Sequence, residues 1–152
     1  MTVSQPVALY NALIRRGIDD RALYRRALIQ VREPGLRVLL EENAQTLDAL
    51  IADLQQQVLD QGARAADHGT MMGAARGWFL DVTVSRAGDA HRDTAWVRCL
   101  ARCECALLDC FERHAGAAAN DDSARVLRRQ LCRLHRIHLD MHCLAGTTHG
   151  SC

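Results

Sequence analysis

Apolar residues recur along this chain at alternating intervals of three and four positions, a spacing that aligns them on one face of an α-helix. In the first stretch the apolar face is interrupted by Gly17 and Arg21, and in the second stretch it is interrupted by Asn43. Proline occurs only at Pro6 and Pro34, and both positions suit the first turn of a helix. The pattern therefore predicts helices over about residues 4–31, 34–61, 70–86, 94–117 and 121–143.

Four of these predicted helices are long, and the one that Thr70 would cap is short. Long amphipathic helices with short connections bury their apolar faces most economically as an antiparallel bundle. We therefore predict an all-α protein, an antiparallel four-helix bundle with an extra short helix between the second and third long helices. Residues 1–152 are expected to form a single domain, with residues 144–152 as a mobile tail.

Composition and charge narrow the classes of partner. Hydrophobic residues make up 49% of the chain and charged residues 24%, which supplies a core and excludes intrinsic disorder. The formal net charge is only +1, so we expect neither nucleic acid nor an anionic membrane surface as a main partner. The chain has no apolar run long enough to span a bilayer, and its first residues lack the pattern of a signal peptide. These features predict a soluble, cytoplasmic protein.

Cysteine and histidine are concentrated in the second half of the sequence. All seven cysteines and five of the seven histidines lie at or beyond Cys99, and in a reducing cytosol most of the thiols should be free. Each of the last two long helices carries one stripe within roughly 60°, made of Cys99, Cys103, Cys110 and His114 on the third and of His135, His138 and His142 on the fourth. If these two helices are neighbours in the bundle, the row of thiols on the third long helix faces the row of imidazoles on the fourth.

A row of thiols opposite a row of imidazoles suits soft metal ions. Thiolate and imidazole ligands select Cu(I) or Zn(II), and Zn(II) takes four ligands in a tetrahedron. Cys99 and Cys103 lie four residues apart, so both can chelate one ion from a single turn. Bundles lined with such pairs are similar to the cytosolic copper storage proteins, which carry many more pairs, on all their helices. A second interpretation stays open, in which the cysteines fill the core as small hydrophobic residues and the histidines lie at its solvated rim.

Catalysis has little support in the sequence. Cys105 and Asp109 point away from the thiol stripe, and no strand-turn-helix elbow or glycine-rich oxyanion loop accompanies them. The sequence also lacks P-loop, dinucleotide-binding and EF-hand motifs. We therefore favour a protein that is not an enzyme.

Several short strings occur in order along residues 7–143. They are Leu13 and Ile14 with Asp19, Asp20 and Tyr24; Pro34, Gly35 and Leu36; Gly69, Thr70, Gly73 and Ala74; Arg76, Gly77 and Trp78; Cys103 and Glu104; and Arg129, Gln130 and His138. This ordered set resembles the bacterial ferritin-like four-helix-bundle family known as domain of unknown function 2383. The resemblance implies a ferritin-like bundle with an extra short helix, and it implies no particular reaction, because that family has no assigned function.

The same resemblance allows a comparison with the iron ligands of ferritin-like proteins. Ferritin-like di-iron proteins project carboxylates inward from several helices, with Glu-x-x-His pairs on two of them. At the corresponding places this chain has Tyr24 and Asn43, and Leu107 follows Glu104 by three residues. Only Glu104 and His138 match, so iron is less expected than zinc or copper. The predicted metal ligands are Cys99, Cys103, Glu104, Cys110, His114, Cys132, His135, His138 and His142.

The favoured hypothesis is a non-enzymatic, cytoplasmic, ferritin-like bundle that binds zinc or copper through Cys and His of its last two long helices, in metal storage, buffering or a stress response. Two alternatives remain: a metal-free structural or protein-interaction module and, with less support, a residual di-iron oxidase. Met71, Met72, Trp78 and Phe79 form an apolar cluster on the short helix. Any part of this cluster that is exposed would mark a homodimer interface.

Overall fold

The computed structural model describes residues 4–118 and 121–146, and every regular element in these ranges is helical. The elements are α1 (Gln5–Gln30), α2 (Pro34–Asp60), α3 (Met71–Arg86), a short 3₁₀ helix (Asp89–His91), α4 (Arg92–Ala117) and α5 (Asp121–Ala145). The predicted all-α class is therefore confirmed, and the helices lie close to the predicted ranges. Of the predicted mobile tail, Leu144 and Ala145 belong to α5, and residues 147–152 lie outside the described residues.

The starts of two helices follow from local chemistry. Glu33 caps α2, where its carboxylate accepts hydrogen bonds from the backbone N–H of Gly35 at 3.0 Å and from that of Leu36. The predicted cap Thr70 is confirmed for α3, because its hydroxyl accepts a hydrogen bond from the Gly73 N–H at 2.8 Å. Such side chains satisfy backbone N–H groups that have no partner within the helix, and so they fix where the helix begins.

α1 packs along α2. Gly17 and Arg21, which interrupt the apolar face of α1, both take part in this contact. A Cβ atom at Gly17 would lie only 3.2 Å from the Ile51 side chain, so glycine lets the two helices approach. Arg21 donates a hydrogen bond to the Asp48 carboxylate at 2.6 Å, which pairs the arginine with α2.

α4 packs along α5, and further contacts join α1 to α4 and α2 to α5. Between α2 and α5, Arg133 pairs with Asp53 at 2.5 Å. The interior is apolar, and its largest fully buried side chains include Trp96, Tyr10 and Phe111. Across residues 4–118 and 121–146, no helix is long and apolar enough to cross a membrane.

α3 lies against α1 and α4. Asp19 of α1 accepts hydrogen bonds from the Thr70 backbone N–H at 2.9 Å and from the Thr70 hydroxyl at 2.7 Å. A Cβ atom at Gly69 or Gly73 would lie 2.1 Å from the nearest Asp19 side-chain atom, so only glycine leaves room for this carboxylate. The glycines around Thr70 therefore anchor the start of α3 to α1.

Candidate metal centre

One group of metal-ligating side chains spans the contact between α4 and α5. The Cys105 Sγ lies 3.0 Å from the His142 Nε2 and 4.0 Å from the His138 Nδ1. One ligand atom from each of the three residues lies within 4.8 Å of the other two, and all three residues are half-buried. This group, the Cys105–His138–His142 cluster, could hold a metal ion.

Helix geometry brings the three side chains together. His138 and His142 are separated by one turn of α5, and their ring centroids lie 4.2 Å apart on the same face. Cys105 approaches them from α4, and the His142 Nε2 also lies 3.3 Å from the carbonyl oxygen of Ala101, one turn earlier on α4. Two helices thus contribute one sulfur donor and two nitrogen donors.

The redox state of Cys105 decides whether the donor set is complete. Cys105 is disulfide-bonded in this structure, whereas Cys99, Cys103, Cys110, Cys132 and Cys143 are free. The thiolate is the form of cysteine that ligates metal ions. The cluster therefore offers all three ligands only after Cys105 has been reduced.

Of the predicted ligands, His138 and His142 belong to the cluster. Cys99, Cys103 and Cys110 are buried in the core on α4. Within the described parts of the chain, no other group of three Cys, His, Asp or Glu residues brings its ligand atoms within 4.8 Å of one another. The three thiols of the stripe on α4 therefore take no part in the Cys105–His138–His142 cluster.

The remaining predicted ligands have other surroundings. His135 is exposed, and its Nε2 lies 3.4 Å from the Glu112 carboxylate. The His114 Nδ1 lies 2.6 Å from the carbonyl oxygen of Cys110 on its own helix. Cys132 is exposed on α5. None of these residues belongs to the Cys105–His138–His142 cluster.

Cys105 is absent from the predicted ligand set because it points away from the thiol stripe. The side of α4 on which it lies is nevertheless buried, since Ala101 one turn before it and Leu108 one turn after it both belong to the core. A second row of apolar positions through Ala101, Cys105 and Leu108 is the signal in the sequence that this side of α4 is also buried.

A second polar group lies deep between α1, α2 and α4. Glu104 is 0% exposed, and its two carboxyl oxygens have no hydrogen-bond partner in the described residues, nor do the Tyr24 hydroxyl and the Asn43 Nδ2. Burial and the charge of Asp20 raise the pKa of Glu104, and burial and Cys103 raise the pKa of Asp20. Both carboxyl groups are thus held toward their neutral forms.

Cys99 and Cys103, the pair predicted to chelate one ion, contact each other within the core. The contact between the two thiols raises the pKa of Cys103, and burial raises it further. The same contact lowers the pKa of Cys99.

No protein-family model, curated protein or solved structure matches the chain. The case for the Cys105–His138–His142 cluster therefore rests on the geometry and chemistry of its own side chains.

Proposed function

We propose that the reduced protein binds one Zn(II) or Cu(I) ion through the Cys105 thiolate and the imidazoles of His138 and His142, and that it acts as a non-enzymatic metal-buffering or metal-storage protein of the cytoplasm. The observation that carries the proposal is the convergence of three metal-ligand atoms within 4.8 Å across the α4–α5 contact. Metal storage for a stress response is part of the same proposal.

The distances in the cluster suit a tetrahedral ion. Ligand bonds of about 2.3 Å to sulfur and about 2.0 Å to nitrogen put sulfur and nitrogen donors about 3.5 Å apart around zinc. The observed separations of 3.0 Å and 4.0 Å from the Cys105 sulfur lie on either side of that value. Small rotations of the side chains would therefore bring all three donors onto one ion.

The type of donor favours zinc or copper over iron. One thiolate and two imidazoles form a soft to borderline ligand set, which Cu(I) and Zn(II) accept. Ferritin-like di-iron centres need inward carboxylates from several helices, whereas Glu104 is buried with Tyr24 and Asn43. The residual di-iron oxidase therefore has less support than metal buffering.

We further propose an antiparallel four-helix bundle of the ferritin-like type. Contacts between helices support opposite directions within each pair: Ser4 near the start of α1 bonds Gln61 beyond the end of α2, and Arg21 pairs with Asp48. In the other pair, Glu112 late in α4 meets His135 in the middle of α5. Membership of the family known as domain of unknown function 2383 remains part of this proposal.

The decisive experiment measures metal binding by the reduced protein. Protein purified without chelator and kept under a thiol-free phosphine reductant is titrated with Zn(II), and separately with Cu(I), against a chromophoric competitor. We expect one ion per chain, and we expect Cys105→Ser, or His138→Ala together with His142→Ala, to weaken binding on the order of a hundredfold or more. Protein left oxidised should bind more weakly than reduced protein, because the thiolate is missing.

Two controls accompany this experiment: variants at exposed positions of α5, and the replacement of zinc by cobalt. Cys132→Ser and His135→Ala remove the same chemical groups at exposed positions outside the cluster, and they should leave affinity unchanged. Co(II) in place of zinc should give a thiolate charge-transfer band that Cys105→Ser abolishes, while circular dichroism shows that the variant is folded. Reduced protein that takes up neither ion, or binding that survives loss of Cys105 and both histidines, would refute the proposal.

A further inference from the structure

The outward side of α3 is apolar. Met71, Met72, Trp78 and Phe79 are 93%, 76%, 62% and 65% exposed. At about 100° per residue, these four side chains and two smaller ones share a stripe about 120° wide. We define the outer face of α3 as Met71, Met72, Ala75, Trp78, Phe79 and Val82.

The inward side of α3 is fixed by contacts that a rotation of the helix would break. Asp81 accepts hydrogen bonds from Arg26 and, at 3.1 Å, from the Gln30 amide of α1. Gly77 is buried, and a Cβ atom there would lie 3.1 Å from the Arg26 guanidinium carbon. The small and polar residues of α3 therefore pack on α1, and the large apolar residues remain in contact with water.

The exposed area is large for a monomer. Two aromatic and two methionine side chains with these exposures leave on the order of 500 Å² of apolar surface in water, which is at the upper end of the largest patch on a typical monomer. Covering that area on two copies would bury about 1,000 Å², the lower limit for a specific interface. The area therefore fits a modest dimer formed by two equal faces.

The order of residues on the outer face is complementary to itself. Met71 and Met72 precede Ala75 by four and three positions, and Trp78 and Phe79 follow it by three and four. A two-fold axis at Ala75 would therefore set Met71 against Phe79 of a second copy and Met72 against its Trp78. Thioether sulfur packs favourably against aromatic rings, and a small residue at the crossing point lets two helices approach closely.

We propose that the outer face of α3 is the interface of a symmetric homodimer, in which α3 packs antiparallel on α3 of a second copy with Ala75 at the two-fold axis. None of the six residues of the outer face is charged. The interface is separate from the Cys105–His138–His142 cluster, so dimerisation does not depend on metal.

The test is a single substitution that a monomer tolerates. Ala75→Glu adds a good helix former at an exposed position, but in the dimer it sets two carboxylates against each other at the axis. We expect sedimentation equilibrium to give a wild-type dimer that dissociates on dilution, and to give a monomer for Ala75→Glu at every concentration tested. Ala52→Glu, at an exposed position of α2, is the matched control and should remain a dimer.

Intrinsic fluorescence provides a second measurement. Trp96 is fully buried and gives a constant background, whereas Trp78 is exposed in the single chain. Wild-type emission should therefore shift to longer wavelength on dilution, and emission of Ala75→Glu should not change. A wild-type protein that is monomeric throughout, a dimeric Ala75→Glu, or a monomer that instead binds phosphatidylcholine vesicles through α3 would overturn the proposal.

Discussion

Glu104 is an acidic residue buried in the core. It is fully buried beside Asp20, while Arg21 of the first helix pairs with Asp48. A buried carboxylate that is not paired with a cation costs several kcal/mol, so the group gives up its charge. Because the pKa of Glu104 is raised in the folded protein, the free energy of unfolding depends on pH.

Proton binding by Glu104 sets the direction in which the stability of the fold changes with pH. The folded protein keeps a proton on Glu104 above the ordinary pKa of 4.5, whereas the unfolded chain releases it. The favourable contribution of protonated Glu104 is therefore fully present below pH 4.5 and is lost as pH rises toward the raised pKa. Each pH unit in that window costs about 1.4 kcal/mol.

Substitution of Glu104 should reduce this pH dependence and leave the part that Asp20 contributes. Glu104→Gln keeps the shape of the side chain and has no proton to lose, so its free energy of unfolding at neutral pH should exceed that of the wild type by about 1–3 kcal/mol. Urea unfolding at several pH values measures the effect, and the gap should widen as pH rises. Glu41→Gln, at an exposed position, should change nothing. Equal slopes for wild type and Glu104→Gln would contradict the prediction.

The Cys105–His138–His142 cluster was only partly predictable from the sequence. The four-residue spacing of His138 and His142 indicates a shared face, and the structure keeps them together. Cys105 could not be ranked above Cys99 or Cys103, because helical spacing groups residues on one helix without stating which face meets the next helix. That information depends on the packing of α4 against α5.

Among the elements, the four long helices were predictable nearly to their ends. Pro34 after Glu33 and the stripes of leucine are signals that can be recognised in the sequence of each helix alone. The orientation of α3 was not predictable, because α3 has an apolar side with large residues and a second side with small ones. Only the contacts with Asp19 and Arg26 of α1 show which side faces inward.

The attachment of α3 can be tested at one glycine. Gly73→Ala would place its Cβ 2.1 Å from the Asp19 Cγ, and the carboxylate cannot move without losing its hydrogen bonds to Thr70. We expect a loss of about 1–2 kcal/mol in the free energy of unfolding and faster hydrogen exchange at the start of α3. Gly116→Ala, where no atom lies within 4 Å of the new Cβ, is the control and should be neutral or slightly stabilising. An unchanged exchange rate in α3 would count against this anchor.

For the whole molecule, the proposed ion would join α4 to α5 and so link metal supply to global stability. A ligand at a hundred times its dissociation constant stabilises the native state by about 2.7 kcal/mol. Zn(II) added to reduced protein should therefore raise the melting temperature, and a chelator should reverse the change. Acid should remove the effect, because protons compete with the metal for Cys105 and both histidines. Cys105→Ser should show no zinc-dependent shift, and a full shift in that variant would place the ion elsewhere.

The free thiols described above fall into two populations that differ in access to water. Cys132 and Cys143 lie on the surface, while Cys99, Cys103 and Cys110 are enclosed by the core. An alkylating reagent would therefore react at once with Cys132 and Cys143. It would react with the three buried thiols only when the protein opens locally. The delay before the buried thiols react therefore measures how often α4 opens locally. Mass spectrometry can follow this reaction without any added probe.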